Sequence, residues 1–150
     1  TVVDHFTHEW PDIVVDQSLK GDDVADAMTR LVAQRGKPTA IKVDNGSEFS
    51  GKVHGSVGIK NRVEPDFSGA ATTDNALVES FNGHLRQECL NTRWFLSLAD
   101  AQSKIEQWRR FYNQERSHSA LAWKTPEELA RKYGSQANSQ APNQAEISTS

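Results

Sequence analysis

The chain has 150 residues, 36% of them hydrophobic and 25% charged, which fits one soluble globular domain with a core of its own. No apolar run approaches membrane-spanning length, no signal peptide opens the sequence, and a single cysteine, Cys89, excludes an internal disulfide or a zinc cluster and fits a reducing cytoplasm. The net charge of −3 is not that of a duplex binder working by bulk electrostatics, although it leaves a nucleic-acid partner open.

Residues 1–4 read as a strand that turns through 5–11 into a second strand at 13–15, the two forming a hairpin. The unbroken run Ile13-Val-Val15 suggests burial on both faces, and Asp4 and Asp16, at the strand ends, read as turn residues. Val24, Ala27, Met28, Leu31 and Val32 recur at helical spacing, behind Asp22 and Asp23 and ahead of Gly36 and Pro38. Met28 there is a core residue. A short strand over 40–43 delivers Asp44-Asn-Gly-Ser-Glu-Phe49 at its carboxyl end, where open α/β sheets place their chemistry, although Asp-Asn-Gly is equally a plain turn signal. Residues 51–73, punctuated by glycine, promise no helix and one short strand at most.

The stretch 71–90 carries the strongest pattern. Thr73, Asp74 and Asn75 are each candidate N-caps, and Leu77, Val78, Phe81 and Leu85 then form an apolar face. Asn75, Glu79, Asn82 and Arg86 fall together on the opposite face, which by spacing alone is an ordinary solvated one. Cys89, late in this helix, reads as packing rather than as a nucleophile. After an aromatic bridge at 93–95, Ser97 with Asp100 resembles a capping box, and Leu98, Ala101, Ile105, Trp108 and Tyr112 make a second apolar stripe. A polar loop is expected over 113–118, and Thr125-Pro-Glu-Glu128 starts a short helix through Leu129 and Tyr133. From Gly134 onward the Ser, Gln, Asn and Ala content predicts a disordered tail, 134–150.

In one register, the strand ending in Asp44-Asn-Gly-Ser-Glu-Phe, Thr73-Asp-Asn-Ala-Leu-Val-Glu79-Ser-Phe-Asn-Gly-His-Leu-Arg, Glu88-Cys-Leu-Asn, Trp94-Phe-Leu-Ser-Leu, Trp108-Arg-Arg-Phe-Tyr-Asn, Glu115-Arg-Ser-His-Ser-Ala-Leu and Thr125-Pro-Glu-Glu-Leu resemble the integrase-core transposases of bacterial insertion sequences, relatives of retroviral integrases. The resemblance implies an α/β, ribonuclease-H-like mixed sheet flanked by helices, with the catalytic core over 1–133. It implies three carboxylates holding two Mg²⁺ (or Mn²⁺) ions, with Asp44 the second carboxylate and Glu79 the third. It makes Asn75, Asn82 and Arg86 candidates for contact with the DNA backbone. The implied partners are transposon-end and target DNA and further copies of the full-length protein, in the bacterial cytoplasm at the nucleoid.

Two departures qualify that expectation. The family's first Asp lies on a strand preceding Thr1, a central strand between those of 1–4 and 40–43, so the fold is expected to be N-terminally truncated and inactive as given. Asp4 occupies a position where the family has a non-catalytic Asp, and the segment Ser68-Gly-Ala-Ala-Thr-Thr73 is shorter than its family counterpart and lacks a lysine. The alternative is a non-catalytic remnant that binds DNA or a partner subunit. A plain ribonuclease-H-type hydrolase is disfavoured by the segments 108–112 and 125–129, which match transposases.

Overall fold

The elements follow in the order β1 (Val2–Asp4), α1 (Gly21–Arg35), β2 (Ala40–Val43), β3 (Pro65–Asp66), α2 (Thr72–Leu85), a π-helical turn (Arg86–Leu90), α3 (Leu98–Gln114), a 3₁₀ turn (Ser119–Leu121), α4 (Pro126–Gly134) and β4 (Gln144–Ile147). The computed structural model describes residues 1–38, 40–43, 65–66, 72–134 and 144–147. Much of the expected glycine-punctuated segment 51–73, and Asp44, lie outside the described residues.

The sheet has the strand order β1-β4-β2-β3. β4 runs antiparallel to β1, with Val2 opposite Ile147 and Asp4 opposite Ala145, and parallel to β2, from Ala40 beside Gln144 to Val43 beside Ile147. It therefore stands between the strands of 1–4 and 40–43, the place that the family resemblance reserves for an upstream strand. Gln144–Ile147 is a strand inside the segment 134–150, whose other residues after Gly134 lie outside the described ones. Gln, Ala and Glu are poor strand formers, and the pairing is dictated by two facing strand edges whose N–H and C=O groups need partners.

The expected strand at 13–15 is also corrected. Pairing beyond β1 stops at one bridge, with the Val2 N–H donating to the Asp12 carbonyl at 2.9 Å. Ile13 and Val15 instead lie half-buried against the core, and the Val15 carbonyl accepts from the Gln102 amide at 2.9 Å. Asp4 does serve the turn: its Oδ1 accepts from the Phe6 and Thr7 amides at 2.9 and 3.3 Å.

The helical expectations hold with shifted ends. In α1, Val24, Ala27, Met28 and Leu31 are buried, and Gly36 stops the helix at φ +88°, a left-handed conformation that favours glycine. The capping box of α4 forms in full: the Glu128 N–H donates to Thr125 Oγ1 at 3.2 Å, and the Thr125 N–H donates to Glu128 Oε2 at 2.9 Å. At α3 only half of the expected box forms. Ser97 Oγ accepts the Asp100 N–H at 3.1 Å, but the Asp100 carboxylate takes the Leu96 N–H instead.

The core is an aromatic cluster centred on Phe81 of α2. Trp10 stacks on it with ring centroids 3.4 Å apart and planes 10° apart, Tyr112 meets it edge-on at 5.0 Å, and Trp108 lies at 5.3 Å. Val3, Val78, Leu85, Cys89 and Ile105 complete it. Burying each large side chain contributes about 1.5–3 kcal/mol. Polar pins fix the Trp10 backbone to α3. Asn113 Oδ1 accepts its N–H at 3.0 Å, and its carbonyl accepts from Asn113 Nδ2 at 2.9 Å and Arg109 Nη1 at 2.7 Å. Asn113 is thus a buried helical residue, which corrects the polar loop expected from 113; α3 runs through Gln114.

Candidate active site

α2 positions the residues that the sequence singles out. It begins at Thr72, so the expected caps Thr73, Asp74 and Asn75 lie within its first turn rather than before it. Val78, Phe81 and Leu85 are buried and Leu77 is half-buried, as the apolar face requires. Burying that stripe against the aromatic cluster turns Glu79 outward, and Glu79 and Arg86 are both exposed while Asn82 is half-buried. Helical register sets Asn75 one turn before Glu79. Among the described residues Glu79 has neither a hydrogen-bond nor an ion-pair partner. Its carboxylate stands on the solvent side of a helix whose inner face is locked by packing.

β2 ends at Val43, so the strand expected to carry Asp44 is present, while Asp44 itself lies outside the described residues. Of the two acids, the structure describes Glu79 alone. Among the described residues, no three His, Cys, Asp or Glu side chains are grouped to hold a metal ion. Asp4 is committed to the Phe6 and Thr7 amides, so it does the work of a turn. Among the described residues, no helix is long and apolar enough to cross a membrane.

The sequence reading missed a polar cluster at the far end of α2. Arg116 Nη1 donates to both carboxylate oxygens of Glu88 at 2.7 Å, Trp108 Nε1 donates to Glu88 Oε2 at 3.2 Å, and His84 Nδ1 lies 3.1 Å from Glu88 Oε1. Burial works to raise the Glu88 carboxyl, but the hydrogen bonds and charge of Arg116, helped by Trp108 and His84, hold it below the usual range. The cluster ties the π-helical turn to the segment after α3. The His84–Glu88 spacing was visible in the sequence; the reach to Arg116 was not. Beside it, Cys89 is fully buried, with its thiol donating to the Lys104 carbonyl at 3.9 Å. Burial pushes that thiol up, against a weaker opposing pull from Arg93, so it is a packing residue.

The fold is similar to that of an integrase catalytic core. It superposes on the structure of the HTLV-2 integrase catalytic core domain in complex with magnesium (dimeric form) with a TM-score of 0.57, covering 85% of this chain and 80% of that one at 21% identity, a likeness of fold. Two family models described as integrase core domain match residues 1–72 and 66–126. The chain belongs to the integrase-core family, alongside the proteins of bacterial insertion elements. It is 44% identical over 142 residues to the insertion element IS407 uncharacterized 31.7 kDa protein of Burkholderia multivorans, covering 94% of this chain and 51% of that protein. It is 43% identical over 150 residues to the insertion element IS476 uncharacterized 39.2 kDa protein of Xanthomonas euvesicatoria, covering 95% of this chain and 42% of that protein. The transposase for insertion sequence element IS904 of Lactococcus lactis is 30% identical over 97 residues, covering 63% of this chain and 38% of that protein. The chain spans about half the length of the first two of these relatives.

Proposed function

We propose that this chain is the catalytic-core segment of an insertion-sequence transposase, acting in the bacterial cytoplasm on transposon ends and target DNA by phosphodiester cleavage and strand transfer, as part of a homo-oligomer. The observation that carries the reading is Glu79: an exposed acid with no partner among the described residues, on a helix anchored by Val78 and Phe81, within a matched family segment. Glu79 and Asp44 are the proposed metal ligands, and oxygen donors of this kind suit Mg²⁺ or Mn²⁺. A divalent ion held there supplies activation of an attacking hydroxyl and stabilisation of the leaving oxygen. Asn75, Asn82 and Arg86, on the same side of α2, are the proposed contacts that hold the DNA backbone.

A labelled transposon-end duplex, incubated with the longer protein that contains this segment and Mn²⁺, should be nicked. Glu79→Gln should lower the rate at least about a hundred-fold, since it removes a charged ligand at the site of charge development. Nicking that survives this substitution unchanged overturns the assignment. A second reading, a remnant that binds DNA or a partner subunit without cutting, is favoured by the segment Ser68-Gly-Ala-Ala-Thr-Thr73, shorter than its family counterpart and without its lysine. Calorimetric titration of the 150-residue chain with Mn²⁺ separates the two: tight two-ion binding contradicts the remnant.

A further inference from the structure

The solvent side of α2 does not end with the helix. Beyond Glu79 it continues through the exposed Ser80, Arg86, Gln87 and Leu90, and then through the connector 91–97, every residue of which is exposed. At the helical rise, Leu90 lies about 16 Å along the axis from Glu79. In the connector Trp94 and Leu96 are each 89% exposed, an unusual state for side chains of this size in neighbouring positions.

These side chains are displayed by a fixed backbone. Lys104 Nζ donates to the Trp94 carbonyl and to Asp100 Oδ2, both at 2.7 Å, and the same Asp100 oxygen accepts the Leu96 N–H at 3.0 Å. Phe95, between them, lies with its ring 5.9 Å from the Lys104 ammonium. Phe95 thus faces the Lys104 side of the loop while its two neighbours project into solvent. The electrostatics point the same way. No acid occurs between Glu88 and Asp100, both of which are paired, and Arg93 is exposed beside Trp94.

An exposed indole with an adjacent guanidinium and an aliphatic tip matches a polyanion whose bases offer flat faces. Single-stranded segments stack on aromatic side chains, and apolar wedges enter opened base steps. We infer that the connector 91–97 is a DNA-contact loop, with Trp94 stacking on a base, Leu96 wedged beside it and Arg93 meeting the adjoining phosphate. The inference takes its ligand class from the proposed function and adds a grip on DNA one helix-length away from the acid. It assigns the α2 ridge a direction: the strand runs from Glu79 past Arg86 to Trp94.

The test measures binding rather than cutting. The 150-residue chain is titrated into a duplex with a single-stranded 3′ overhang carrying 2-aminopurine. Trp94→Ala should weaken binding about five- to 150-fold and abolish the change in 2-aminopurine fluorescence, while Trp94→Phe retains most of both. Arg93→Ala should reduce the slope of log affinity against log salt by about one. Circular dichroism should be unchanged, because the removed side chain is largely in solvent. Grip and cleavage are scored separately: a Glu79→Gln variant of the longer protein that still cuts sinks the functional reading, not this one. Equal affinity of Trp94→Ala and the parent overturns the inference. So does a Trp94→Ala chain that loses a dimer in sedimentation while keeping its DNA affinity, which would make a second copy the partner. A parent chain without affinity for the overhang overturns it too.

Discussion

The helical half of the molecule and its sheet are held together by opposite means. α2, α3 and the turn around Trp10 interlock through an aromatic stack, backed by side-chain hydrogen bonds to the Trp10 backbone. The sheet has strands of two to four residues, and its second strand, β4, comes from the far end of the sequence. Burial that is dense and specific resists local opening, whereas short ladders open at little cost. The difference teaches where the proposed chemistry is anchored. Glu79 takes its rigidity from the packed half, while Asp44 follows a strand of the weaker half.

The comparison can be broken most directly at Phe81. Phe81→Ala should cost about 3–5 kcal/mol in urea unfolding, since it empties the centre of the stack. Because Val3 of β1 packs on the same cluster, amide protection in β1 should fall with that of α2. A sheet that stays protected while the helices melt would show two independent units. Asn113→Ala tests the pins. The Trp10 carbonyl keeps Arg109, but its buried N–H loses its acceptor, so a loss of about 1–3 kcal/mol is expected by the same measurement.

The smallest effect sharpens the electrostatic side. Arg109 above all, with Arg110 helping, overcomes burial and holds the Glu106 carboxyl at about 2 against its ordinary 4.5. A depressed carboxyl contributes stability that is complete above about 4.5 and is lost as pH falls toward 2. The Glu106 side chain is 39% exposed, so solvent screening reduces the contribution to under about 1 kcal/mol. Melting temperatures at pH 6 and pH 3 should therefore differ less in Glu106→Gln than in the parent. An equal drop in both would remove Glu106 from the account.

Much of the packed half was legible in the sequence. A 3.6-residue period needs only local order, so Val24 to Leu31, Val78 to Leu85 and Ile105 to Tyr112 announce their buried faces, and Thr125 announces the start of α4. Outward placement of Glu79 follows from the same period. Long-range pairing left no such mark. Ile13-Val-Val15 has strand composition but packs as an irregular segment, Asn113 looks like loop polarity until Trp10 is set beside it, and β4 has the composition of a tail. The clamp of Glu88 by Arg116 was hidden for the same reason, since its members meet only after α3 has folded back.

β4 has one more consequence. It sets Ile147 opposite Val2, so the two extremities of the described chain lie side by side, on the edge strand of the sheet and the strand next to it. Closing that pairing requires the residues from 2 to 147 to be gathered first, and loop closure over such a separation favours late formation. A circular permutant that joins residue 150 to residue 1 by a short linker, and opens elsewhere, would turn this most distant contact into a local hairpin and bring its formation forward.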